Sequence, residues 1–528
     1  MTLPTRSPQL AMSRYFGIYA LLSFACALLT AVRPLHFLSD DGLFYLIIAQ
    51  YIAAGQGSTF NGLFPTNGYH PLWECIATLL AFISRSRASL LAYGIFVQWA
   101  MSVATLWVVL KALRSSFTPA ALGAFCAVMF VLFVPFGNLF WSEAPLSMLF
   151  VALVFYMVAA EKPIPYAVLG LVLGLAFLAR LDNVFYIGIV VVALFWRDRS
   201  PRLALTCLIC AVLAGIYLTT NWFSYGELMP ISGAIKSAAY RHRYFAGHLG
   251  TNGLLGLFGA LALIAINVVQ RSSRSSNYRL ACFTLCGGVL AHAAYVWALT
   301  YGDTTWVWYY VQGYFCLALA VAQSADWLQK RYAIDFGRVA FAGSLAVSAA
   351  IVAAKFLLNW SWHDPKAVAG SWRAEWTNEI QRTLPDDHSV LVVVDQPGFF
   401  AYGTTHPVFA LDGLTMNHKF EQALAVSGMP AQLQTLKSSY YVGPMLPAGA
   451  ELHVHFIGLY GRADGQQIVQ FFTPLRGIEA GCINIDPSTL VLARRMPEMI
   501  AGGGTWGVWK LTPETLRPVP CPAGRVNG

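Results

Sequence analysis

Apolar runs at 15–32, 89–111, 119–136, 143–160, 164–181, 183–196, 201–222, 253–270, 279–300, 308–325 and 337–358 recur through the first 360 residues of this chain. A run of about 18–20 apolar residues crosses hydrocarbon as a helix, so the reading is a polytopic α-helical membrane protein of about 11 spans. Composition agrees: 57% of the 528 residues are apolar, 11% are charged, and the mean hydropathy is +0.56. Soluble domains carry about a quarter charged residues, which excludes a wholly soluble enzyme. The first run follows Arg6 and Arg14, and no small-residue cleavage site comes after it, so it reads as a retained helix and not a signal peptide.

The net charge of +9, from 34 Lys+Arg against 25 Asp+Glu, does not indicate nucleic acid. Many of the basic residues fall in short clusters between apolar runs, as in cytoplasmic membrane loops. With the N-terminus cytoplasmic and the short stretch 71–82 not crossing, the inner segments hold Arg6, Arg14, Lys111, Arg114, Lys162, Arg197, Arg199, Arg202, Arg271, Arg274, Arg279, Lys330, Arg331 and Arg338. The outer connections hold only Arg33, Arg85, Arg87, Arg180, Lys236, Arg241, Arg243 and Lys355. Letting 71–82 cross would put the RDRSPR and QRSSRSSNYR loops outside, against the positive-inside rule. The stretch therefore reads as a half-helix or interfacial helix. The expected topology is multi-pass, with the N-terminus cytoplasmic and the C-terminal part outside.

From residue 361 to 528 the chain turns polar, with a helical stretch, the β-like run LVVVD and several Gly/Pro turns. This part reads as an extracytoplasmic α/β domain following a transmembrane module of residues 1–360. Its Cys482 and Cys521 would lie in an oxidising compartment, where a disulfide is allowed but not required. Cys207 and Cys210 form a lone CxxC inside an apolar run and read as small buried residues.

The first outer loop, 33–70, is the most informative segment. Asp40 and Asp41 directly follow a span, where adjacent carboxylates are costly unless hydrated, paired or used. Ser39 or Asp40 can cap a helix over 43–54, which ends at Gly55, and one acid can cap while the other works. Asn67, Tyr69 and His70 then return the chain to the same interface within TNGYHPLW.

At these residues the sequence resembles the GT-C superfamily of integral-membrane glycosyltransferases that use polyprenyl-phosphate-linked sugars. The resemblance rests on Asp40-Asp41, the helix IIAQYIAAGQG and TNGYHPLW, and extends to WSEAPL (141–146), LARLDN (178–183), YGELMPISGAIKS (225–237), WYY (308–310) and VFALDGLTMN (408–417). In overall plan the chain looks like bacterial cell-wall arabinofuranosyltransferases. The resemblance implies transfer of a sugar from a polyprenyl-phosphate donor to a glycan, lipid or protein acceptor in the cell envelope. A phosphate leaving group needs little protonation, so a single base that takes the acceptor hydroxyl proton is enough; Asp40 or Asp41 can serve, and attack opposite the phosphate inverts the anomeric centre.

The donor phosphate needs cations. Lys236, Arg241 and Arg243, with His242, cluster in GAIKSAAYRHRY, and Lys236 and Arg243 would share a helical face. Arg180 is the further candidate, although pairing with Asp182 or anchoring the interface weighs more for it. Glu143 reads as a helix-start carboxylate favoured by the dipole. Trp306, Trp308, Tyr309 and Tyr310 read as an interfacial aromatic belt whose rings can also pack on sugars. Asn67, Tyr69, His70, Glu143, Tyr309 and Tyr310 are the candidate pocket. Asp412 reads as a turn residue, and His453 with His455 as structural. No metal-ligand spacing stands out, so a metal-independent reaction without cofactor is expected, the question of a divalent cation staying open. The competing class is a secondary transporter or lipid flippase with an accessory domain, against which stand the missing internal repeat and the clustering of acids at one interface. An inactive scaffold of the same fold is the third.

Overall fold

The computed structural model describes residues 8–32, 34, 38–133, 140–241, 249–270, 274–299, 306–332, 339, 341–344, 346–347, 350, 371–385, 389–454, 456–496 and 504–522. In the N-terminal part the helices are α1 (Pro8–Val32), α2 (Asp40–Ala53), α3 (Pro71–Ile83), α4 (Arg87–Leu113), α5 (Pro119–Phe133), α6 (Ala144–Ala159), α7 (Tyr166–Ala179), α8 (Val184–Asp198), α9 (Leu203–Tyr225), α10 (Ile231–Arg241), α11 (Gly250–Val269), α12 (Ser276–Leu299) and α13 (Val311–Tyr332). Each span expected between 15 and 325 coincides with one of them; the span expected at 337–358 lies largely outside the described residues, as does the expected boundary at 360. Five described helices are long and apolar enough to cross a bilayer, namely α1 (from Met12), α4, α9, α11 and α12. This is a multi-pass membrane protein.

Local chemistry sets several ends. α4 opens on a reciprocal capping box between Ser86 and Ser89, and α9 stops at Gly226, whose left-handed φ of 82° suits glycine. α3 fills the stretch read as a half-helix: thirteen residues, with Leu79, Phe82 and Ile83 exposed and Trp73, Glu74 and Ala77 buried.

The C-terminal part is α/β. Helix α14 (Ser371–Thr383) precedes β1 (Val390–Val393), α15 (Pro397–Gly403), β2 (Val408–Ala410), α16 (His418–Thr435) and β3 (Ser438–Pro444). Then follow β4 (Glu451–Val454), β5 (Ile457–Gly461), β6 (Gln467–Phe472), β7 (Glu479–Ile485), β8 (Leu490–Met496) and β9 (Gly504–Lys510). One sheet runs β2-β1-β3-β9-β8, with β1 parallel to both β2 and β3 and the β9 pairings antiparallel; the other is the antiparallel meander β4-β5-β6-β7. The expected LVVVD strand is β1. Cys482 of β7 and Cys521 are joined by a disulfide.

The two parts share one apolar core. Leu43, Leu46 and Ile47 of α2, Phe60, Trp73 and Leu90 belong to the same buried cluster as Phe399, Phe409, Leu424 and Val442. Phe64 of the first loop stacks on Phe420 at 4.7 Å. Backbone contact is equally close: a Cβ added at Gly68 would lie 2.0 Å from the Leu414 carbonyl oxygen. Gly68→Ala is therefore expected to displace one of the two segments and to cost about 1–3 kcal/mol as an overpacked site, read as a lowered Tm of the purified protein.

Helix α10 lies between the parts. Ile231 and Ile235 pack on Phe456, Phe472 and Leu475, while the Asn67 Oδ1 accepts the Ile231 N–H at 3.1 Å.

Candidate active site

The first loop, the residues before α6, the turn between α7 and α8, and the turn before α13 converge on a buried charge network. Arg180 is its hub. The side chain is 3% exposed, and its Nε and Nη2 donate to the two oxygens of Asp182 at 3.0 and 2.6 Å while Nη1 pairs with Glu143. The Asp182 Oδ2 also lies 3.2 Å from His292 Nε2 of α12. On the other side, the Tyr45 hydroxyl donates to Glu143 at 3.0 Å and accepts the His70 N–H at 3.3 Å.

His70 faces the same carboxylate, with Nε2 3.8 Å from Glu143, and its Nδ1 accepts the Leu181 N–H at 3.4 Å. Burial pulls the imidazole below its usual range, more strongly than the Glu143 carboxylate pulls it back. With Nδ1 accepting, Nε2 is the nitrogen left to carry a proton toward Glu143.

Tyr309 meets two cations. The Arg180 guanidinium is 4.9 Å from the ring centroid, and Lys236 Nζ donates to the Tyr309 hydroxyl at the ring edge. The Asp41 carboxylate is within electrostatic reach of that hydroxyl. Tyr310 is buried beside His292, ring to ring at 6.1 Å.

The two adjacent acids differ. Helix α2 starts at Asp40, three residues before the expected 43, and Ser39 is its N-cap without a side-chain capping bond. Ser39 holds the expected N-cap position, but neither its side chain nor that of Asp40 makes a capping bond. The Asp40 Oδ1 instead accepts the Phe399 N–H of α15 at 2.9 Å. Enclosure pushes its carboxyl well above the usual range, and the charges of Asp41, Asp395 and Asp412 add to this, against the opposing Phe399 bond. Asp412 also closes the expected turn, accepting the Leu414 N–H at 3.0 Å.

The structure brings His70, Glu143, Arg180, Lys236 and Tyr309 together, with Asp41 in electrostatic reach of the Tyr309 hydroxyl; the other candidates make different contacts. Asn67 is 1% exposed, and its Oδ1 caps α10. The Tyr69 hydroxyl is 2.8 Å from Ser58 Oγ and takes no part in the network. Glu143 precedes α6 but makes no capping bond; Arg180, Tyr45 and His70 hold it instead. Arg180 and Asp182 pair as expected. Arg243 and the side chain of Arg241 lie outside the described residues, as does His455; His453 pairs with Glu451.

Residues the sequence did not single out hold the site in place. Trp141 is fully buried with a left-handed φ of 66°, a conformation that costs about 1–3 kcal/mol and persists only where the surroundings enforce it. Gln98 of α4 enforces it: its Oε1 accepts the Trp141 N–H, and its Nε2 donates to the Ser142 carbonyl at 2.6 Å. The Trp141 side chain fills the space that a Cβ would need at Gly42 and Gly94, which ties the turn before Glu143 to the residue after Asp41. Among the described residues no group of three or more His, Cys, Asp or Glu is placed to hold a metal ion, and Glu143 and Asp182 are already paired to Arg180.

No protein-family model matches the sequence, and a search of curated proteins finds no match. Among solved structures the chain is similar to ArnT from Cupriavidus metallidurans bound to undecaprenyl phosphate, at 12% identity and a TM-score of 0.51, over 81% of this chain and 92% of that one. It is also similar to an Archaeoglobus fulgidus oligosaccharyltransferase (12% identity, TM-score 0.45, 82% and 69% covered). A third match is the mycobacterial arabinofuranosyltransferase AftD (13%, 0.41, 94% and 41%). The overall fold is similar to that of ArnT. At these identities the likeness is one of fold.

Proposed function

We propose that this protein is a glycosyltransferase that moves a sugar from a polyprenyl-phosphate donor to an acceptor hydroxyl outside the cytoplasm, with inversion and with an aspartate as base. The acceptor is a glycan, lipid or protein of the cell envelope, and the site faces outward from a bacterial plasma membrane. The observation that carries this reading is the meeting of two cations on Tyr309, Arg180 at its ring and Lys236 on its hydroxyl, with the charge of Asp41 in electrostatic reach of that hydroxyl.

The two cations supply what a lipid phosphate needs. Arg180 commits three of its N–H donors to Glu143 and Asp182, which fixes the guanidinium plane and leaves donors for phosphate oxygens. Lys236 adds a point charge on a separate element. Asp41 takes the proton of the acceptor hydroxyl as that oxygen bonds to the anomeric carbon. The bond from the anomeric carbon to the phosphate oxygen breaks, and the phosphate leaves with its electron pair without needing an acid. Enclosure raises the Asp40 carboxyl and its Oδ1 is committed to the Phe399 N–H, so Asp41 is the member of the pair proposed as the base. The two cations meet the charge of the leaving phosphate, so the reaction is proposed to be metal-independent, and full activity in EDTA is the expected result.

Incubating the purified protein with radiolabelled polyprenyl-phosphate sugars and membrane extract tests the function. Label should pass to the extract from one donor, and label that stays on every lipid overturns the reading. For the phosphate site, Lys236→Ala should weaken donor binding roughly ten- to hundredfold, as loss of a charge-assisted hydrogen bond of about 1.5–3 kcal/mol does. A loss under threefold, erased by moderate salt, would mark Lys236 as a solvated surface charge.

A further inference from the structure

The C-terminal domain reaches the candidate base through one short helix held at both ends by the N-terminal part. Helix α15 has seven residues, Pro397–Gly403, too few for a stable isolated helix. Its own N-cap, Gln396, offers no side-chain bond. At that end the Asp40 Oδ1 accepts the Phe399 N–H. At the other, Arg87, the first residue of α4, places Nη1 2.9, 2.8 and 3.0 Å from the carbonyl oxygens of Ala401, Tyr402 and Thr404. The guanidinium at the carbonyl end suits the helix dipole, and at the other end the Asp40 oxygen satisfies one of the first-turn N–H groups. Contact at the first end is tight: a Cβ at Gly398 would lie 2.6 Å from the Asp40 carbonyl oxygen and 2.8 Å from its Oδ1.

We propose that Arg87 is a positioning residue for glycosyl transfer. It holds the C-terminal end of α15 so that the N-terminal end stays pressed on Asp40, which fixes the first turn of α2 and with it Asp41. This rests on the reading of Asp41 as the base. The first turn of α2 is then gripped from two directions, by α15 on Asp40 and by Trp141 on Gly42. Releasing one grip lets the carboxylate shift, and a misplacement of about 1 Å costs on the order of a hundredfold in rate. Arg87 makes none of the bonds of the Arg180 network, so donor affinity is left alone.

The test uses the full chain in lipid nanodiscs, with transfer kinetics and amide hydrogen exchange over 397–404 measured on the same samples. In Arg87→Ala, kcat should fall by about thirty- to hundredfold, the donor KM should stay within about twofold, and exchange over α15 should speed up by at least about tenfold. Arg87→Lys, which can still donate to the helix carbonyls, should recover most of the kcat. Gly398→Ala, acting at the opposite end, should give the same kcat-selective loss and serves if Arg87→Ala does not fold. Unchanged exchange in Arg87→Ala overturns the clamp; fast exchange with wild-type kcat overturns the positioning role; equal losses in kcat and donor affinity overturn its separation from the donor site. If the wild type transfers no sugar, the functional reading has failed, and the exchange data alone decide whether the clamp exists.

Discussion

Asp41→Asn should lower kcat by about 10²–10⁴-fold, the contribution of a positioned general base, while donor affinity stays within about twofold. The amide keeps the shape of the carboxylate but cannot accept the proton. Asp40→Asn should behave differently, because an asparagine Oδ1 still accepts the Phe399 N–H that docks α15. Its effect on kcat should be closer to tenfold than to a thousandfold, on the order of a lost hydrogen-bond optimum. A second signature separates the two. The native Asp40 carboxyl is raised, by enclosure first and then by Asp41, Asp395 and Asp412, so the folded state binds this proton more tightly than the unfolded chain does. That contribution to stability is full below the unfolded pKa and is lost as pH rises through the folded pKa. Asp40→Asn removes the loss, and its Tm relative to wild type should therefore climb with pH in that upper range. Thermal unfolding across pH, alongside transfer rates, checks both statements; equal kcat losses in the two variants would defeat the division of labour.

The second large effect is expected at Arg180. Arg180→Ala strands Glu143 and Asp182 without their shared cation, and removing one partner of a buried ion pair costs about 3–5 kcal/mol. Donor binding should disappear with it. Arg180→Lys should not rescue, since an ammonium cannot grip both Asp182 oxygens while reaching Glu143. Adding Glu143→Gln to Arg180→Ala relieves one stranded charge, so the double variant should melt higher than the single one and still transfer no sugar. Melting curves and donor titration on the three proteins separate the structural cost from the lost phosphate contact.

What could be read in the sequence was the local chemistry of continuous segments. The apolar runs gave the helices, LVVVD gave a central strand, and Asp40-Asp41 with TNGYHPLW marked the loop that carries the site. Arg180 and Asp182, two residues apart, were readable as a pair for the same reason. Partners remote in sequence were not readable. Asp40 finds its donor 359 residues away, and Glu143 finds Arg180 37 residues away. Without those partners Asp40 looked like a local cap and Glu143 like a dipole-favoured helix start. Gln98 and His292 did leave a signal, a polar side chain inside an apolar helix, which in a membrane calls for a partner. Tyr45 left none, since an aromatic residue in LFYLIIAQ reads as part of the apolar face. Arg87 entered only as one more positive charge between spans, because the carbonyls it binds belong to a helix formed three hundred residues later.

The position of α10 bears on engineering. One side of this helix presents Lys236 to Tyr309, and Ile231 and Ile235 on the same helix are buried against Phe456, Phe472 and Leu475 of the C-terminal domain. A chimaera made by cutting after the last membrane helix and grafting a foreign C-terminal domain would leave those isoleucines facing an unmatched surface. The cation on the same helix would lose its anchorage along with them. Exchanging acceptor specificity by domain grafting would thus alter the grip on the donor as well, unless α10 were transplanted or redesigned with the domain it leans on.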